Sequence, residues 1–183
     1  MIPREPTETD WLRLEPIEPT HAERTWEAVE ASLADLRDWM AWAPETSRDR
    51  TEAFVQGAVK AWSAGREYDF AILQEGSVVG GIGIRWSRPD QRIGEMGYWV
   101  RSDVTGRGYA TEAGRAIVGF GFRTLGLYRL ELRAGVENAA SQRVAEKLGF
   151  HREGTLRSGC PHGSGGYDCH LYGLLASDVP HLS

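Results

Sequence analysis

The chain has 183 residues, 41% of them hydrophobic, and carries 21 Lys and Arg against 26 Asp and Glu, a formal charge of −5. That size suits a single core, expected as one domain over residues 1–183, and an acidic balance without a basic stripe excludes a nucleic-acid partner. No apolar run approaches the ~18 residues that span a bilayer, and the charged start (Arg4, Glu5, Glu8, Asp10) lacks the apolar stretch of a signal peptide.

A cytoplasmic protein with no membrane partner is therefore expected, and Cys160 and Cys169 are too few for a disulfide framework. Trp11–Leu14 alternates as a short first strand ahead of the prolines. Thr20 and Glu23 have capping-box spacing and predict a helix toward Ser32. A second helix is predicted from Asp49 or a neighbour, with Phe54, Ala58 and Trp62 on one stripe and Gly65 as its stop. Tyr68–Leu73 and Val78–Trp86 alternate as strands about the Glu75-Gly76-Ser77 turn, and Ile93–Val100 is the next strand.

A helix from Tyr109 carries Ala110, Ala113, Ile117 and Phe120 at helical spacing and ends at Gly126. Tyr128, Leu130, Leu132 and Ala134 then alternate with Arg129, Glu131 and Arg133 as a half-buried strand, its Glu131 paired at the surface. Asn138 caps a further helix that Gly149 stops, and strands follow near Phe150–Leu156 and Cys169–Leu175. Cys160-Pro161-His162 and Cys169-His170 lack zinc-ligand spacing, and Gly163–Gly166 between them reads as a mobile loop, so no metal is expected. Strands interleaved with helices, several joined as hairpins, define an α+β class with a mixed sheet.

The stretch Val104-Thr105-Gly106-Arg107-Gly108-Tyr109-Ala110-Thr111 places two glycines at a helix start. Backbone N–H groups there turn toward an anion, and the helix dipole adds favourable potential. By itself such a loop is also an ordinary turn. Its weight comes from Gly94–Val100 before it, and from Asn138-Ala139-Ala140-Ser141 and Lys147-Leu148-Gly149-Phe150 after it.

On these motifs the chain resembles the GNAT acetyltransferases of the RimJ/RimL type, which acetylate N-terminal amines of ribosomal proteins. The likeness runs from about Ile93 to Leu156, with weaker stretches at Leu36–Ala43 and at Tyr167-Asp168 to Tyr172. It implies a GNAT fold, a central mixed and mostly antiparallel sheet of about seven strands flanked by helices. It also implies acetyl-CoA as acetyl donor and direct attack by an amine in a ternary complex, with the protein a monomer or homodimer.

The resemblance assigns residues 105–111, that is Thr105, Gly106, Arg107, Gly108, Tyr109, Ala110 and Thr111, to the cofactor pyrophosphate, with Thr105 where the family usually has Gln or Arg. Gly97 suggests an open strand edge, along which the main chain of Trp99 and Val100 would bond the pantetheine arm, and Asn138 lies near the cofactor. Ser141, in a first helical turn, is the candidate donor to the leaving thiolate. Ala145 stands where many relatives have a Tyr.

Glu95 shares a face with Gly97 and Trp99 and is a candidate proton acceptor, with Glu131 or a relayed water as alternatives. Trp39 and Trp42 are candidates for the acceptor pocket or for packing. An α-amine, with a pKa of ~7.7–8.0, is roughly a tenth to a fifth neutral at pH 7, whereas a lysine at ~10.4 is under about one part in a thousand. A weak base therefore suits a protein N-terminus. The alternatives are a small amine, such as an antibiotic or polyamine, and a catalytically silent CoA-binding module.

Overall fold

Alternation along consecutive strands decides how this chain is layered. A computed structural model describes residues 2–162 and 165–179. Eight strands form one sheet: β1 (Thr7–Glu8), β2 (Arg13–Pro16), β3 (Glu67–Gln74), β4 (Ser77–Arg88), β5 (Ile93–Val100), β6 (Arg129–Gly135), β7 (His151–His162) and β8 (Gly165–Leu175). Their spatial order is β1-β2-β3-β4-β5-β6-β8-β7. Every pairing is antiparallel except β5 with β6. The eighth strand, beyond the seven expected, is the two-residue β1, too short to show any alternation in sequence.

The helices are α1 (Ala22–Glu30), α2 (Leu33–Trp39), α3 (Arg48–Ser63), α4 (Tyr109–Gly119) and α5 (Ala139–Lys147). Beneath α4, Phe70, Ile72, Ile82, Ile84, Met96, Leu130 and Leu132 pack with Ala113 and Ile117 in one core. On the opposite face Ala71, Leu73 and Val78 meet Ala28 of α1 and Val55 and Ala58 of α3. Burial on both faces is what holds so many apolar strand positions in register.

Several local expectations need correcting. The strand expected at Trp11–Leu14 is β2 at Arg13–Pro16, because Leu14 must reach the core while Trp11 stays 63% exposed. The Thr20/Glu23 box does not form. Glu18 starts the helical entry instead, its N–H donating to His21 Nδ1 at 2.9 Å. Ser47 caps α3 by accepting the Arg50 N–H at 3.2 Å. Phe54 leaves the buried stripe, whose members are Val55, Ala58, Ala61 and Trp62.

Glycines at positive φ end α3 (Gly65, +69°), α4 with its π-turn over Phe120–Thr124 (Gly126, +63°) and α5 (Gly149, +85°). β7 runs on through Cys160–His162 and β8 begins at Gly165–Gly166, two residues of the loop expected at Gly163–Gly166, since main-chain pairing continues to His162↔Gly165. Gly163 and Ser164 lie outside the described residues. Among the described residues no helix is long and apolar enough to cross a membrane.

Candidate active site

Three features converge on β5. The first is the loop before α4. Gly106 and Gly108 take φ of +78° and +87°, conformations that cost a side-chain-bearing residue about 1 kcal/mol or more. The N–H groups of Gly106, Arg107 and Gly108 donate to no protein acceptor among the described residues. Free donors at the N-terminus of an eleven-residue helix make an anion cradle. Arg101 binds the Asp103 carboxylate through two 2.6 Å hydrogen bonds, holding it below the usual carboxylate range and offsetting its negative charge. The Tyr109 and Thr111 side chains are buried, so at those positions only main chain serves the loop.

The second feature is a gap in the sheet. β5 and β6 pair in parallel only at Ile93↔Arg129, Gly94↔Leu130 and Glu95↔Glu131, and then part. Arg101 N–H donates to Val79 O at 2.8 Å, which makes Arg101, Trp99 and Gly97 the residues bonded to β4. The alternation of an antiparallel ladder turns the main-chain groups of Met96, Tyr98 and Val100 toward the gap. The main chain of Val100 thus faces the gap, as does that of Tyr98, whereas the Trp99 main chain is bonded to β4.

Across this gap Ser141 Oγ lies 2.9 Å from the Tyr98 hydroxyl. Asn138 Oδ1 accepts the Ser141 N–H at 3.0 Å, capping α5 and fixing Ser141 in its first turn. Burial raises the Tyr98 phenol above its ordinary pKa, only partly offset by the bond to Ser141, so the phenol stays protonated. Tyr98 was not singled out in the sequence. Its alternation with Glu95, Gly97 and Trp99 turns it to the other face, and its partner is contributed from 43 residues away.

The third feature is a cavity of ≈ 530 Å³ on the opposite face of β3–β5, roofed by α1, α3 and the segment after α2. Trp42 and Trp99 meet edge to face across it, 6.3 Å apart, beside Met40 and Phe54. Trp39, a candidate for the acceptor pocket or for packing, packs against Tyr167 at 6.0 Å, and the Tyr167 hydroxyl donates to its carbonyl at 2.9 Å. Helix α2 ends at Trp39, so helical spacing does not carry on to Trp42.

Glu95 lines the cavity, with Oε2 3.2 Å from Arg85 and 3.9 Å from Arg133. Glu131 is 4% exposed and bound by Arg88 at 2.5 Å and Arg129 at 3.0 Å, so it is a buried ion-pair member and not the surface acid its pattern suggested. Asp69 also lines the cavity. It sits in the row Asp69↔Gly83↔Gly97 with Oδ2 enclosed and no hydrogen-bond partner among the described residues. Burial, with Glu67 nearby, pushes its pKa up to about 6.

The family described as "Acetyltransferase (GNAT) domain" matches residues 12–151. The chain belongs to the GNAT acetyltransferase family. It is an acetyl-CoA-dependent N-acetyltransferase, and its fold is the GNAT fold. YdaF of Bacillus subtilis (strain 168), provisionally named a ribosomal N-acetyltransferase, is 29% identical over 161 residues, 87% of this chain and 88% of its own. The ribosomal-protein-serine acetyltransferase of Escherichia coli (strain K12) is 26% identical over 147 residues, 80% of this chain and 82% of its own. The solved structure of Mycobacterium smegmatis RimJ in complex with a CoA disulfide superposes with a TM-score of 0.84 at 26% identity, covering 92% of this chain and 84% of that one.

Proposed function

We propose that residues 1–183 act as one catalytic domain that acetylates the N-terminal α-amine of a protein, a ribosomal protein being the first candidate, in the cytoplasm where such acceptors are made. The observation that carries this reading is the parting of β5 from β6, with Ser141 and Tyr98 hydrogen-bonded across the opening. Relatives named for ribosomal-protein acetylation support the acceptor class.

Acetyl-CoA supplies the acetyl group as a thioester. The free N–H groups of Gly106, Arg107 and Gly108 hold its pyrophosphate, with Arg107 adding charge. The main chain of Tyr98 and Val100 takes the pantetheine arm as an added strand. Ser141 Oγ donates a proton to the departing sulfur, supported by the helix N-terminus and by the Tyr98 hydroxyl that can re-protonate it.

The donor gap lies along one edge of β5 and the acceptor cavity on one of its faces, which favours both substrates being bound together. A cysteine acyl-enzyme is disfavoured because burial, with Cys160 alongside, pushes the Cys169 thiol up to about 12, far from a thiolate at neutral pH. A small cationic amine is the second reading. It is favoured by a cavity lining in which Glu45, Glu67, Asp69 and Glu95 outnumber Arg50 and Arg85.

The test is CoA release with a panel of acceptors: free-N-terminus peptides, an N-blocked lysine peptide, a polyamine and an aminoglycoside. Turnover confined to free N-termini, and lowered about 100-fold by Ser141→Ala, supports the proposal. Turnover confined to the polyamine or aminoglycoside moves the acceptor class. Acetyl-CoA binding without turnover of any amine turns the reading to a silent module.

A further inference from the structure

We infer that Asp69 is the residue that receives the acceptor's ammonium group and takes its proton before acetyl transfer. This deepens the function proposed above and rests on it.

Four observations meet at this side chain. Asp69 lines the cavity on the acceptor side of β5. Its Oδ2 is enclosed without a protein partner among the described residues. A buried oxygen left so is held at a cost in free energy that a bound donor removes. Next, the positions beside it in the sheet are Gly83 and then Gly97. A methyl group at Gly83 would collide with Asp69 Oδ1, and the space over Gly97 is empty to 4 Å. A bare floor thus leads from the carboxylate to the strand whose other edge faces the donor gap.

Finally, every other carboxylate reaching the cavity floor or its far wall, except Glu67 at the rim, already has a cation. Glu95 from β5 is held by Arg85 of β4, and Glu45 is held by Arg50 of α3 at 2.8 Å. Asp69 has none, and the groups facing it (Glu67 on its own strand, Arg85, Glu95, Arg50 and Glu45) leave a negative excess. A cationic nitrogen fits that vacancy, with Trp42, Trp99 and Phe54 offering apolar surface to whatever bears it.

The proton balance is simple. One proton passes from the ammonium nitrogen to the Asp69 carboxylate, freeing the nitrogen lone pair. The N–C bond to the acetyl carbon forms, the C–S bond breaks and the sulfur takes a proton from Ser141. The nitrogen's second proton leaves to water. Amide, CoA thiol and one solvent proton result once Asp69 and Ser141 regain their resting states. A carboxyl whose pKa lies near 6 is better matched to this exchange than an ordinary one.

The experiment pairs kinetics with ¹³C NMR of the Asp69 carboxyl carbon in the full chain saturated with CoA. The probes are a peptide with a free N-terminal serine, the same peptide N-acetylated, and spermidine. The Asp69 signal should titrate near pH 6 in the protein without acceptor. The free peptide should move that midpoint down, because an ammonium stabilises the carboxylate, and the acetylated twin should not.

Asp69→Asn should lose about 100-fold in kcat/KM at pH 7 and keep acetyl-CoA affinity within twofold. Its pH profile should lose the limb near 6 and instead rise to the acceptor's own pKa near ~8. A signal that follows spermidine and ignores the peptide supports the role of Asp69 while overturning the α-amine proposal. A signal indifferent to every amine, or a variant with the wild-type rate and pH limb, overturns the inference and leaves acetyl transfer untouched.

Discussion

Glu131 and Asp69 are drawn out of water on the same face of the sheet, and the fold treats them in opposite ways. Glu131 lies beneath two guanidinium groups, and Gly173 beside it leaves room for Arg129, which also grips Glu153 at 2.7 Å. Those carboxylates hold the Arg129 guanidinium charged well above its ordinary range. Asp69 has burial, and its Oδ2 has no partner among the described residues. Burial alone therefore marks neither acid as functional. The missing countercharge distinguishes them, because a paired acid stabilises the fold and an unpaired one is held at a cost until something binds.

The contrast can be broken most forcefully at Glu131. Glu131→Ala strands two arginines and should destabilise by about 2–4 kcal/mol, lowering the unfolding midpoint on the order of 10 °C. A shift under about 2 °C in calorimetry would remove Glu131 from the structural side of the comparison.

Asp69→Asn should do the reverse. The folded carboxyl titrates near 6 against an ordinary 3.8, so the native state holds a proton that the unfolded chain has released between those values. Stability tied to that proton is complete below about pH 4 and is lost as pH rises through about 6. The asparagine variant should thus be more stable than wild type at pH 8, by roughly 1–3 kcal/mol, and equal to it near pH 4. Urea unfolding at the two pH values measures this, and a variant less stable at pH 8 would mean that Asp69 has a structural partner.

The two glycines beside Asp69 sharpen the comparison. Gly83→Ala meets Asp69 Oδ1 and the Tyr68 carbonyl at 2.9 Å and should cost about 1–2 kcal/mol. Gly97→Ala meets nothing within 4 Å, so stability should hold within about 0.5 kcal/mol while acceptor kcat/KM falls severalfold. Equal effects on stability would show that the floor is not open as described. A small effect is also expected at Arg85, 61% exposed in its pair with Glu95: Arg85→Ala should change stability by less than about 1 kcal/mol.

What was legible in the sequence was mostly local chemistry. Gly106 and Gly108 declare a helix start that needs positive φ, Asn138 declares a cap, and Gly65, Gly126 and Gly149 declare stops, because each constraint acts within a few residues. Asp69 was not legible. In a strand that alternates from Tyr68 to Leu73, an acid at a polar position reads as solvent-facing. Its enclosure depends on α1, α3 and the Met40–Thr46 segment, which roof it from elsewhere in the chain. Its open neighbours are glycines only once the register aligns Gly83 with Gly97.

Tyr98 was missed for the same reason, since its meaning depends on Ser141 arriving from α5. Trp39 and Trp42 go to different surroundings because α2 ends at Trp39, which the sequence around them does not signal. The length of β7 and β8 was hidden because Pro161 and four glycines weaken the strand signal while long-range pairing persists.

The three-residue contact between β5 and β6 makes the sheet two leaves on a narrow spine, five strands on one side and three on the other. The core beneath α4 and the Arg88–Glu131 pair tie the leaves together, while their main-chain pairing ends at Glu95↔Glu131. A molecule lying along both edges acts as a clasp. At a hundred times its dissociation constant it adds about 2.7 kcal/mol to the folded state. Slowed amide exchange in β6 and β8 would be its mark, and the enzyme is then most rigid when loaded and most easily unzipped when starved of acetyl donor.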